Sequence, residues 1–124
     1  MNNQNSKNEQ LSRLNTQIAF ISAIIFALSI NIYIILGYKD LIINEKKSKF
    51  TIKQLYELSL LSSGIILIGT IYFFILAYED YENATNRGTF DFYTAAVLSL
   101  IAQSIRYNTL IKYPNDIFGA EDII

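Results

Sequence analysis

From Leu58 to Tyr78 the chain reads LSLLSSGIILIGTIYFFILAY, an uncharged run bounded by Glu57 and Glu79. At about 1.5 Å per residue, a helix of this length crosses a hydrocarbon core roughly 30 Å thick. A second uncharged run, IAFISAIIFALSINIYIIL, extends from Ile18 to Leu36. Ala27-Leu28-Ser29 loosely resembles a signal-peptide cleavage site, but the apolar run continues past it, so an uncleaved span is the expectation. A third run, Phe92 to Ile111, holds Arg106 as its one charge. The expected fold is all-α: an integral membrane protein of three transmembrane helices, at about 12–37, 51–80 and 90–112, joined by short loops.

Residues at the ends of these runs support helices. Thr51-Ile52-Lys53-Gln54 fits a capping box, in which the threonine hydroxyl and glutamine amide satisfy backbone N–H groups at a helix start. Gly37 is placed to end the first helix, Thr89 to cap the third, and Pro114 to stop the third near Tyr113. Tyr38, Tyr56, Tyr107 and Tyr113 fall near one end of the spans and Tyr78, Tyr81 and Tyr93 near the other, as tyrosines do at a headgroup boundary.

A hydrophobic content of 52 % exceeds that of an ordinary small soluble domain, and the charges cluster between the runs. One domain, 1–124, is expected, with a polar tail at 1–16 and a short acidic tail at 113–124. The tail 1–16 can also extend the first helix through Leu11, Leu14 and Ile18. A net charge of −1 and a pI near 5.3 give no basic footprint for nucleic acid. The chain has no cysteine and no histidine, which removes disulfides, thiolate nucleophiles, imidazole bases and the usual zinc or haem ligands. No cofactor or metal is expected. The acidic cluster Glu79, Asp80, Glu82 and Asp91 lacks the spacing of a calcium loop and reads as a solvated turn. Asn83-Ala84-Thr85 fits a glycosylation acceptor, which matters only in a secretory pathway.

With three spans, Lys39, Lys46, Lys47, Lys49, Lys53 and Lys112 lie on one side and Lys7, Arg13 and Arg87 on the other. The positive-inside rule then places the N-terminus outside and the C-terminus in the cytoplasm of a plasma or inner membrane. The loop lysines serve as this topology signal, or hold anionic lipid as well.

On a helical wheel, Ala95, Ala96, Ser99, Ala102, Gln103, Arg106 and Thr109 occupy an arc of roughly 140°. A helix lying on a membrane surface normally carries several cations on its polar face, so this arc reads as a packing face. The first helix has a similar stripe, Ala19, Ala23, Ala27 and Asn31, and small residues at that spacing let helices approach closely. If the spans alternate in direction, Asn31, Ser62, Ser63, Gln103 and Arg106 reach similar depths and form an intramembrane polar layer. Such a layer serves as packing glue, or lines a pathway or binds an anionic headgroup.

No catalytic residues are expected: the carboxylates lie in loops and the serines have no base partner. The chain is therefore not expected to be an enzyme. Its expected role is a small accessory or assembly subunit, with the lipid bilayer and other membrane protein subunits, or its own copies, as partners. The alternative is a homo-oligomeric pore or holin-like permeabilising protein. Three short spans with the N-terminus outside are similar in layout to one holin class, although the tail Tyr113 to Ile124 is acidic where that class implies a basic one.

Overall fold

The computed structural model describes residues 3–115. They form three helices, α1 (Asn3–Asn44), α2 (Ile52–Asn83) and α3 (Arg87–Lys112), with a 3-10 turn at Glu45–Lys47 between the first two. Among the described residues, two helices are long and apolar enough to cross a membrane: α1 with its following turn, and α2. α3 is not one of them, because Thr94, Ser99, Gln103 and Arg106 interrupt its apolar residues.

α1 is longer than expected at both ends. It has 42 residues, about 63 Å of helix, against the expected 12–37. The segment 3–16 is helical and not a loose tail, and it is tied down where Arg13 Nη2 donates to Asp80 Oδ1 of α2 at 2.6 Å. Gly37 does not end the helix. It is buried inside it, where a Cβ would stand 2.7 Å from Leu55 Cδ2 and 3.0 Å from Phe50 Cδ1. Its missing side chain admits α2, and α1 continues for two more turns.

The turn that follows is held by side chains. Glu45 leaves the helix with φ at 45°, the left-handed conformation at which helices commonly stop. Asp40 accepts from the Asn44 amide at 2.5 Å and from the Ser48 hydroxyl, and Ser48 Oγ in turn accepts from Phe50 N–H at 3.1 Å. These bonds, that from Ser48 foremost and that from Asn44 next, hold the Asp40 carboxyl below its ordinary pKa, because they favour the charged form.

α2 starts at the capping box read from the sequence: Thr51 Oγ1 accepts from Gln54 N–H and Gln54 Oε1 from Thr51 N–H, both at 3.1 Å. The cap of α3 differs from expectation. Asn86 takes the N-cap, its Oδ1 accepting from Thr89 N–H at 2.9 Å, while Thr89 closes the box by accepting from Asn86 N–H at 3.1 Å. Asparagine is as good a cap as threonine, and α3 gains a turn by starting there.

Among the described residues α2 packs against both α1 and α3, whereas α1 and α3 make no close backbone approach to each other. The helices therefore lie as a layer with α2 in the middle. On one open side of α2, Glu57, Leu61, Ile68 and Ile75 are exposed. On the other, Ser63 is buried and Ile66, Thr70, Phe73 and Ala77 are half-buried, so the outer helices lean over that side and leave a trough.

Candidate functional site

The polar side chains that meet between helices are placed by the antiparallel register of α1 on α2. Down α1 and up α2, the contacts run Gly37 with Leu55, Asn31 with Ser62, Ile24 with Gly69, Phe20 with Tyr72, and Arg13 with Asp80. With the buried Ala27 and Ile34 added, the α1 positions from Phe20 to Ile34 alternate in steps of four and three residues, the spacing of a coiled-coil seam. Phe20 stacks on Tyr72 with ring centroids 4.0 Å apart, and Gly69 makes room for Ile24.

At the centre of this seam Ser62 donates its hydroxyl to Asn31 Oδ1 at 2.5 Å, with the Ser59 carbonyl a second acceptor at 3.5 Å. Ser62 is 1 % exposed, so its hydroxyl is fully paired away from any solvent. Ser63 is buried as well, but one residue further it points about 100° away from Ser62. Gln103 is half-buried in the contact of α3 with α2. Arg106 is exposed and has no hydrogen bond or ion pair among the described residues. The structure brings Asn31 and Ser62 together and leaves Arg106 outside.

The small-residue faces divide in the same way. On α1, Ala27 is buried against α2, Ala23 is half-buried and Ala19 is exposed. On α3, Ala95, Ser99 and Ala102 are exposed and do not form the packing face toward α2. α3 meets α2 instead through Tyr93, Ala96, Val97, Leu100, Gln103, Tyr107 and Leu110, all half-buried or buried. Tyr107 lies over Gly64, its ring 3.7 Å from where a Cβ would stand, an ordinary contact distance.

Two features lie outside what the sequence signalled. The Arg13–Asp80 pair joins residues that the charge count had placed in a tail and a solvated turn, and no local pattern marks it. Tyr93 packs among Phe74, Tyr78 and Tyr81 of α2 with centroids 5.6 to 5.8 Å apart, so these tyrosines form an inter-helix cluster as well as marking an end of the runs. Their spacing on α2, at steps of four and three, was the available signal.

At this end the trough widens into a groove of about 480 Å³ in which all three helices take part, with Gln17, Phe73, Ala77, Asp80, Thr89 and Phe92 in its walls. Its one carboxylate, Asp80, is engaged by Arg13. Among the described residues no cluster of acidic side chains is placed to hold a metal ion. The chain matches no family model, and no curated protein or solved structure is detectably similar to it.

Proposed function

We propose that the chain is a three-span membrane protein, N-terminus outside and C-terminus cytoplasmic, that serves as an accessory or assembly subunit held laterally against a larger membrane complex. Burial supports the membrane reading. The most apolar windows of α1 and α2 are only 11 % and 17 % buried, whereas the core helix of a soluble protein is mostly buried. Apolar surface of this extent needs lipid or protein against it. α3 joins as a third span by packing antiparallel to α2 while its Leu98, Ile101 and Ile105 remain outward.

The observation that carries the subunit reading is the outward strip Ala95, Ser99, Ala102 and Arg106 on α3, with the guanidinium unpartnered among the described residues. Arg106 lies about 9 Å inside the helix end, near enough for its stem to reach the headgroups but costly beside lipid alone. Small residues beside it admit a partner helix closely, and an acceptor on that helix offsets the cost.

Two measurements test this. Single cysteines replacing Ser48 and Ala84 in this cysteine-free chain are expected to label from opposite faces of the membrane, Ala84→Cys from outside; labelling of both from one face removes a span. A photo-crosslinking residue at Ser99 or Ala102 is expected to capture one and the same larger membrane protein, while Ile68 on α2 captures none of it. Capture by all three alike, or collapse of the membrane potential on expression of the chain alone, speaks against the subunit reading, and the second result favours a pore.

A further inference from the structure

We propose that two copies of this chain associate side by side, in parallel, through a second seam on α1 that α2 does not cover. The seam facing α2 uses Phe20, Ile24, Ala27, Asn31 and Ile34, spaced alternately four and three residues apart. Packing at that spacing winds α1 at about 3.5 residues per turn, and any other row of the same period then runs straight along its surface. Such a row exists. Leu11, Ile18, Ile25 and Ile32 recur every seventh residue, and Leu14, Ile21, Leu28 and Ile35 recur three residues after each of them. All eight are leucine or isoleucine, and all are 47 % to 66 % exposed. They lie about a quarter turn from the covered seam.

Lipid alone does not account for this row. A lipid-facing surface calls for apolar residues on every outward side, not at two positions in seven. Yet between Leu11 and Ile35 the only large exposed apolar or aromatic residues off the row are Phe26 and Tyr33. Within the uncharged run, up to Ile35, the neighbouring outward positions besides these are Ala19, Ser22 and Ser29. The row also continues through Leu11 and Leu14, on either side of Arg13 and before the uncharged run, where a partner would cover them.

A second copy fits this row. The inference rests on reading α1 as a membrane span, since copies inserted in one orientation meet with α1 parallel and like residues at like depth. Leu11 then faces Leu11 and Leu14 faces Leu14 outside the hydrocarbon. The row is continuous with the α2 contact on the same helix, and it is bounded by cations: Lys7 and Lys39 hold the next positions of the repeat at either end. Like charges facing each other there limit the contact to roughly 36 Å between Leu11 and Ile35. The positions flanking the row, Gln10, Asn15, Gln17, Ser22 and Ser29, carry no charge. Charges at such flanks set partner choice, and at these five positions none opposes an identical chain, the like-charge contacts being confined to Lys7 and Lys39 at the ends.

Oxidative cross-linking in native membranes tests the proposal on the full chain. Leu14→Cys, Ile21→Cys and Leu28→Cys are expected to form disulfide-linked dimers at least tenfold more efficiently than Ser12→Cys, Ala19→Cys and Phe26→Cys on the adjacent face. Adding Leu14→Lys, outside the hydrocarbon, is expected to reduce the Ile21→Cys product at least fivefold, while Ser12→Lys leaves it unchanged. Equal or absent cross-linking at both sets overturns the seam. Alkaline carbonate extraction of the same membranes separates the two readings. A chain that stays in the pellet without periodic cross-linking loses the seam and keeps the span; a chain released by carbonate that still cross-links only along the row keeps the seam and loses the span.

Discussion

The Cδ2 atom of Leu55 lies 2.7 Å from the point where Gly37 would carry a Cβ, and Leu55 itself is fully buried. Two helices meet there with no room for a methyl group. Gly69 is the other close approach, but its obstacle is a single side chain, Ile24, with Cδ1 at 2.8 Å and Cγ1 at 3.0 Å, and Ile24 is half-buried with room to shift where Leu55 has none. Gly37→Ala is therefore expected to destabilise the α1–α2 pair by about 1–3 kcal/mol, the cost of overpacking a filled site. Gly69→Ala is expected to be nearly neutral, since a shift of Ile24 and the better helix propensity of alanine, up to about 1 kcal/mol, oppose the clash. Melting of the two variants in the same detergent checks the order, and an equal loss at both positions contradicts it.

The bond between Asn31 and Ser62 predicts energetic coupling that Arg106 does not share. A double-mutant cycle of Asn31→Leu with Ser62→Ala is expected to give about 0.6 kcal/mol, and at most about 1.7 kcal/mol, the range for polar contacts between helices in lipid. The cycle of Asn31→Leu with Arg106→Leu is expected to be additive, because Arg106 stands on the outward side of α3. Coupling of Arg106 to Asn31 would restore the three-helix polar layer.

Glu45 carries a left-handed backbone without the freedom that glycine brings to such a position. Glu45→Gly removes the clash of Cβ with the following carbonyl, worth roughly 1–2 kcal/mol, less what glycine gains as entropy in the unfolded chain. The melting temperature of the variant is expected to rise, and a fall shows that the Glu45 side chain is needed in the turn.

Asp40 makes the same turn sensitive to acid. Its folded pKa lies below the ordinary value, so its contribution is complete above the pKa of the unfolded chain and is lost as the pH falls through the folded value. Amide exchange at Phe50, whose N–H is held through Ser48, is expected to accelerate over that window once corrected for intrinsic rates. In Ser48→Ala the acceleration is expected to vanish, the largest source of the shift being gone.

Much of the local structure is legible in residue order. The Thr51–Gln54 box, the stop before Pro114 and the number of helices follow from backbone chemistry that acts within a few residues. Gly37 shows where that reading stops: a glycine after an apolar run serves equally as a helix end or as a point of close approach, and only the presence of Phe50 and Leu55 decides between them. Of the site residues, Asn31 and Ser62 are legible as polar groups at matching depth along antiparallel helices, whereas the exclusion of Arg106 is not.

The amino-acid sequence by itself determined that the described residues form three helices, where α2 begins and where α3 stops, because propensity, capping and the placement of charge are local properties; it did not determine the ends of α1. Tertiary structure alone decided which face of each helix meets which neighbour. α3 does carry an arc of small and polar residues, yet Ala95, Ser99 and Ala102 of that arc face outward while Tyr93, Tyr107 and Leu110 meet α2, because the fit to the neighbouring helix and not the arc itself fixes the rotation. The pairing of Arg13 with Asp80, 67 residues apart, depended likewise on the register of two packed helices, and that register is set by the fit of Phe20 on Tyr72 and of Ile24 over Gly69.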